Sequence, residues 1–259
     1  MPKLTIVTVT FNDLDGLKHT RASVLDAKGA DLEHVIIDGG SKDGTVEYLA
    51  GLPTDVRWVS EKDRGPYDAM NKGVALARGE WVIFLNSGDT LAGQSALGNL
   101  LAVADGSDAG LAYGDHYYKG RLRRAKPLES LHGLLEEGDV KGWLRGHPCH
   151  QAVIARRGLL LEIPFDLGFR IAADFHWMEK VRSRGEKSLK VDGPVCIYQP
   201  GGLSSWSFLR CTVEWWKVAK LAGGSSAPCK AFFLNSLRKH RRRKYRTALL
   251  KKIRGLVGL

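Results

Sequence analysis

Leu4–Thr10 reads LTIVTVT and runs directly into Phe11-Asn12-Asp13. A run this β-branched and apolar suits a strand buried within a sheet. Outward from it, residues 13–27 place Leu14, Leu17, Val24 and Leu25 on roughly one face, which predicts a helix. His34–Asp38 (HVIID) predicts a second strand, followed by the turn GGSKDG and a short helix from about Thr45. Val56–Ser60 predicts a third strand. Pro66 stands where a helix to about Ala77 would begin. Trp81–Leu85 predicts a fourth strand, ended by the turn Asn86-Ser87-Gly88-Asp89. Strands alternating with helical crossovers imply an α/β fold: a mixed, mainly parallel sheet with helices on both faces.

The second half is less regular. It predicts a strand at Gly110–Tyr113, a hairpin over Asp115–Lys126 turning near Lys119-Gly120, and a helix over 128–136. A strand at Val153–Ala155, a helix at Ala172–Arg182 and a strand at Val191–Tyr198 follow. Helices over 205–222 and 228–256, parted by GGSSAP, close the chain. The pattern divides it into residues 1–203 and a basic helical extension, 204–259.

The 259 residues are 44% hydrophobic and 26% charged, with 30 Gly and 9 Pro, the make-up of a folded protein and not of a disordered or collagenous one. No apolar run reaches the roughly 18 residues of a membrane span, and MPKLTIVTVTFND is a poor secretory signal. Cys149, Cys196, Cys211 and Cys229 are isolated, which argues against a zinc site or disulfide framework and for a reducing cytoplasm. The net charge of +11 is uneven: residues 215–259 hold 13 of the 39 Lys and Arg and no Asp or Glu, leaving the body at −2.

Open α/β sheets bind ligands beyond the carboxyl ends of their strands. The four predicted strands deliver Thr10-Phe11-Asn12-Asp13, Asp38, Glu61-Lys62-Asp63-Arg64 and Ser87-Gly88-Asp89 to that edge. Turn chemistry alone could explain any one of these. A dinucleotide-binding dehydrogenase would show G-x-G-x-x-G after the first strand, but no glycine occurs there before Gly16, and no P-loop is present. Without a glycine cradle a bound diphosphate needs a cation, and Asp89, read as exposed after a buried strand, is a candidate ligand for Mg²⁺ or Mn²⁺.

TIVTVTFND, VIIDGGSKDGT and EKDRGPYDAMNKGVALARGEWVIFLNSGD together resemble a family 2 glycosyltransferase of the GT-A fold, in its bacterial exopolysaccharide, O-antigen and colanic-acid branch. The likeness continues through Tyr113–Asp115, His147–Gln151, FRIAADFHWM and Gly201–Ser205. It implies that Thr8, Thr10, Phe11 and Asn12 line a nucleotide pocket and that Asp38 accepts a hydrogen bond from base or ribose. It also implies that Asp63, Tyr67, Asp68, Asn71 and Lys72 shape the nucleotide-sugar site. The family's D-x-D metal motif is here Ser87-Gly88-Asp89, so Asp89 alone would hold the ion, with the diphosphate completing its shell. By the same resemblance Asp174 is the general base of an inverting transfer, and His147, His150, Gln151 and His176 lie on the acceptor or diphosphate side. Asp115 has two readings, donor-sugar contact or hairpin turn.

The resemblance implies a nucleotide-sugar donor, UDP first and GDP next, and a glycan acceptor on a polyprenyl diphosphate lipid. The basic run 238–246, flanked by Trp206, Phe208, Leu209, Trp215, Trp216, Phe232 and Phe233, fits peripheral attachment to an anionic membrane at the cytoplasmic face. Two other classes stand against this: a non-catalytic nucleotide-sugar or glycan-binding module, and a nucleic-acid binder, which the −2 body disfavours.

Overall fold

Every residue of Leu4–Thr10 is buried as strand β1 at the heart of the sheet. The computed structural model describes residues 2–201, 208–224 and 227–239. After β1 come α1 (Leu14–Leu25), β2 (Leu32–Asp38), α2 (Thr45–Ala50), β3 (Arg57–Ser60), α3 (Pro66–Leu76) and β4 (Trp81–Phe84). These four strands run parallel in the order β3-β2-β1-β4, with Thr10 level with Asp38 and Asp38 level with Ser60. The register brings their carboxyl ends, and the polar turns that follow, to one edge.

The rest of the sheet is mixed. β5 (Thr90–Leu91) and α4 (Ala96–Ala104) precede the hairpin of β6 (Leu111–Tyr118) and β7 (Arg121–Arg123). Helices α5 (Leu128–Glu136) and α6 (Val140–Gly146) lead through a 3₁₀ turn at His150–Ala152 into β8 (Val153–Arg156). Then follow α7 (Arg157–Glu162), α8 (Ala173–Ser183) and β9 (Ser188–Tyr198). β8 inserts antiparallel between β4 and β6, and β9 runs parallel to β6 with a register break at Asp115. The pattern did not mark β5, α4, α6 or α7. They are short, and their positions are set by packing more than by period.

α3 shows how sequence sets position. Pro66 fills its first turn after Gly65, and Tyr67, Met70 and Val74 face the core. Gly73 lets the helix touch β1: a Cβ there would stand 2.3 Å from Val7 Cγ1. This contact fixes how close Tyr67 comes to the sheet's carboxyl edge.

The expected boundary near residue 203 does not separate two cores. α9 (Phe208–Leu221) and α10 (227–239) send Val218, Ala219, Ala222, Cys229 and Phe233 into the main core, beside Leu131 and Leu135 of α5 and Trp177 of α8. Trp215 and Trp216 pack against the same core. Trp206, the GGLSS residues after Gly201 and most of the basic run 238–246 lie outside the described residues.

Candidate active site

The loops after β1, β2, β3 and β4 are stitched to one another. Asn12, at φ 49°, donates its N–H to Ser41 Oγ (2.7 Å) and accepts from the Lys42 N–H through Oδ1 (2.8 Å). Asp13 caps α1 and takes the Ser87 hydroxyl on Oδ2 at 2.7 Å, tying the first loop to the fourth. Phe11 stands 63% exposed at this rim. Gly39 lies between its ring and Asp63, since a Cβ at Gly39 would be 3.2 Å from the ring and 3.3 Å from Asp63 Oδ2. Phe11, Gly39 and Asp63 therefore form one wall, flat and aromatic at one end and acidic at the other. Burial pushes the Asp63 carboxyl up against the opposing pull of Lys72, whose ammonium sits 2.5 Å away.

Several residues expected in the pocket sit beneath it instead. Asp38 is fully buried and spends its carboxylate on the next turn, accepting from Ser60 Oγ (2.6 Å), the Ser41 N–H (2.9 Å), the Gly40 N–H and the Ser41 hydroxyl. Four donors around one carboxylate leave little for a nucleobase, so Asp38 builds the loop that carries Gly39. Thr8 is buried mid-strand against His34 Nε2 (2.9 Å), and burial lowers that imidazole to about 4. Thr10 is also buried, its hydroxyl without a protein partner. Asn71 pairs both ends of its amide with the backbone of Phe165, 3.0 Å each way. Asp68 accepts from the Arg64 N–H (3.0 Å) and guanidinium (3.1 Å). Lys72 is held by Asp63 and Glu61.

Asp89 is the largest correction. It is 3% exposed, not presented to solvent. Oδ2 accepts from Gln151 Nε2 (2.7 Å) and Oδ1 from the Gln199 N–H (2.8 Å). Burial raises its carboxyl to about 6 despite these bonds. Each Asp89 oxygen thus carries one hydrogen bond from within the protein. Among the described residues no group of three or more His, Cys, Asp or Glu could hold a metal ion. Ser87 and Gly88, the latter at φ 89°, shape the exposed part of this turn, and Gln151 serves it as Asp89's buried partner.

Asp174, in the first turn of α8, joins residues from three separate segments. Oδ1 accepts from the Phe175 N–H (2.9 Å) and lies 3.0 Å from the Tyr67 hydroxyl, which is also 2.7 Å from the Ile171 carbonyl. Oδ2 accepts from His150 Nδ1 at 2.9 Å. Burial alone would raise the Asp174 carboxyl, but His150, the Phe175 N–H and Tyr67 together hold it below its ordinary value. Burial would lower His150, and the facing carboxylate raises it instead. His150 Nε2 then meets the Asn86 amide at 3.1 Å, while Asn86 Oδ1 is buried without a partner. Turning that amide over gives an imidazolium N–H an oxygen to donate to and places the amide NH₂ in the partnerless position; as it stands, Nδ2 donates to a neutral His150 Nε2. The sequence reading missed Asn86 as a site residue, although it opens the NSGD turn.

The remaining candidates separate. His147 is wholly buried, its ring between the Trp143 carbonyl (2.9 Å) and Glu179 (3.1 Å). Burial would raise Glu179, but His147, Arg182 and Trp143 hold it at about 2, so this cluster is structural. His176 lies against the Phe169 ring at 4.6 Å and 3.8 Å from Asp166, off the Asp174 chain. Asp115 accepts from the Ala125 N–H at 3.0 Å, which is its hairpin role. A cleft of about 780 Å³ opens at the other end of the strands, lined by Lys3, Arg78, Glu80 and Arg156. Its charges pair internally, Arg156 with Glu80 at 2.6 Å.

A family model described as glycosyl transferase family 2 matches residues 5–163. The chain belongs to glycosyl transferase family 2. An uncharacterized glycosyltransferase of Mycobacterium tuberculosis is 35% identical over 178 residues, 67% of this chain and 66% of that relative. The chain thus spans just under two thirds of that relative's length. A PGL/p-HBAD biosynthesis glycosyltransferase of Mycobacterium bovis is 32% identical over 67% of each chain. Among solved structures, S. aureus TarS 1–349 in complex with UDP-GlcNAc superposes with TM-score 0.65 at 17% identity, covering 85% of this chain and 65% of that one. The mannosyltransferase PcManGT from Pyrobaculum calidifontis, in complex with GDP-Man and Mn²⁺, gives 0.61 at 18%, covering 95% and 82%. These likenesses make the fold of this family 2 chain GT-A. No helix among the described residues is long and apolar enough to cross a membrane.

Proposed function

We propose that this family 2 chain is an inverting glycosyltransferase that moves a sugar from a nucleotide sugar, UDP-linked first and GDP-linked next, onto a lipid-linked glycan in bacterial surface polysaccharide synthesis. The observation that carries the reading is Asp174: an ionised carboxylate held by Tyr67 and His150, and joined through Asn86 to the rim that presents Phe11 and Asp63. The wall of Phe11, Gly39 and Asp63 suits a nucleobase, a ring for stacking beside an acceptor for its N–H groups. Asp174 takes the proton of the acceptor hydroxyl as that oxygen attacks the anomeric carbon opposite the departing nucleoside diphosphate. General-base help of this kind is worth roughly 10²–10⁴-fold in rate. Tyr67 and His150 hold the carboxylate's orientation during the transfer.

A divalent ion, Mn²⁺ or Mg²⁺, enters this reading only as a companion of the donor diphosphate, whose charge it would offset. The acidic groups at the NSGD turn are the exposed carboxylate of Asp13, hydrogen-bonded to Ser87, and the buried one of Asp89. The exposed apolar side chains Leu209, Val213 and Leu221 on α9, interleaved with Arg210, Lys217 and Lys220, support attachment to an anionic membrane at the cytoplasmic face.

The test is sugar transfer by wild type and Asp174→Asn, with binding of UDP- and GDP-sugars followed by thermal shift with and without Mn²⁺. The expected result is turnover lowered by at least ~10²-fold in Asp174→Asn, with donor binding kept. Undiminished turnover would remove Asp174 as the base. Donor binding by a wild type that never transfers or hydrolyses sugar would favour the non-catalytic binding module.

A further inference from the structure

α8 begins without a cap of its own. Its N-cap residue is Ala172, which has no side chain to accept the N–H groups that a helix leaves unpaired at its start. What holds its entry is a carboxylate 42 residues further on, in α9, which binds the loop leading into the helix. Glu214 Oε2 accepts from three successive backbone N–H groups, those of Arg170 (3.0 Å), Ile171 (2.8 Å) and Ala172 (3.0 Å), and Oε1 lies 3.2 Å from the first of them. Glu214 is 6% exposed, and it is the last acidic residue of the chain. A buried carboxylate facing three successive N–H groups of the loop that enters a helix is a charge-assisted contact stronger than ordinary neutral hydrogen bonds.

The loop held this way is the one that aims the site. Ile171 turns its carbonyl to the Tyr67 hydroxyl, and Asp174 follows two residues after Ala172. Phe175, next to Asp174, packs against Trp215, next to Glu214, with ring centroids 6.3 Å apart.

We infer that Glu214 is a positioning residue for Asp174, and that α9 is thereby part of the catalytic machinery. The inference rests on Asp174 being the base. Glu214 touches neither donor nor acceptor. It fixes the 170–172 loop, and through it the direction of the Asp174 carboxylate and its Tyr67 partner. A displacement of about 1 Å at such a group can cost about 100-fold in rate.

The experiment compares full-length wild type, Glu214→Ala, Glu214→Gln and Asp174→Asn. For each, kcat, KM for the nucleotide sugar and Kd for UDP are measured. Glu214→Ala is expected to lose ~10–100-fold in kcat with KM and Kd within twofold, because the nucleotide wall lies on other loops. Glu214→Gln keeps one oxygen for the three N–H groups and is expected to recover part of that loss, a rescue that mere destabilisation would not give. If Glu214→Ala does not fold, the same split in Glu214→Gln decides. A kcat within twofold of wild type in Glu214→Ala, or parallel loss of kcat and UDP binding, overturns the inference. Undiminished activity in Asp174→Asn would instead overturn the base assignment, so the two failures are distinguishable.

Discussion

Asp174 and Asp89 show how one residue type takes opposite roles through its surroundings. Both are buried, yet His150 and Tyr67 keep Asp174 below its ordinary range while burial carries Asp89 to about 6. Asp174 thus stays ionised throughout the neutral range. Removing His150 would take away the strongest of the groups that oppose the burial of Asp174 and move the acid limb of kcat upward in pH. For Asp89 the folded value lies above the unfolded 3.8. Its contribution to stability is therefore complete below pH 3.8 and is lost as pH rises through about 6. Asp89→Asn does not titrate, so its Tm deficit against wild type should narrow between pH 4 and pH 7 by the equivalent of roughly 2 kcal/mol. A deficit that stays constant across that range would place Asp89 in contact with solvent. The sequence named both residues, but it could not tell which partners each carboxylate would meet once buried.

At the scale of elements, the strands and crossovers of the first half were legible because their patterns are local. β1 to β4 and α1 to α3 fall within a few residues of their expected places, with caps and breakers at the ends: Asp13 before α1, Pro66 at the start of α3. The antiparallel insertion of β8 between β4 and β6 was not legible, since pairing partners distant in sequence leave no periodic mark. The α3–β1 contact belongs to this scale too. Gly73→Ala would set a methyl 2.3 Å from Val7, and relieving that overlap should cost about 1–3 kcal/mol of stability. The shift moves Tyr67 away from Asp174, so kcat should fall along with Tm. Chemical denaturation together with steady-state rates checks both, and Gly73→Ala combined with Val7→Ala should recover much of the loss.

Over the described residues, helices α9 and α10 and the sheet share one core. Val218, Ala219 and Phe233 pack beneath the sheet, while Leu209, Val213 and Leu221 face outward. Deleting residues 236–259 is expected to release the protein from vesicles of anionic lipid and leave UDP-sugar binding intact, since Phe233 and the α9 contacts remain. Each Lys or Arg near such a surface contributes ~1 kcal/mol, so partitioning should drop by orders of magnitude and should weaken in salt. Co-sedimentation checks this, and unchanged partitioning would count against the membrane partner.

The sequence by itself determined the α/β class, the edge at which the polar turns gather and the family to which the chain belongs, because strand composition, helix caps and ordered turn motifs are properties of neighbouring residues. Only the tertiary structure decided which of those polar groups are free to act. Asp89, Asn71 and His147 are held by partners 32 to 110 positions along the chain, and Glu214 gains its role from residues 42 to 44 positions away. Burial and hydrogen-bond partnership depend on how the chain closes on itself, and that is why neighbouring residues alone could not reveal them.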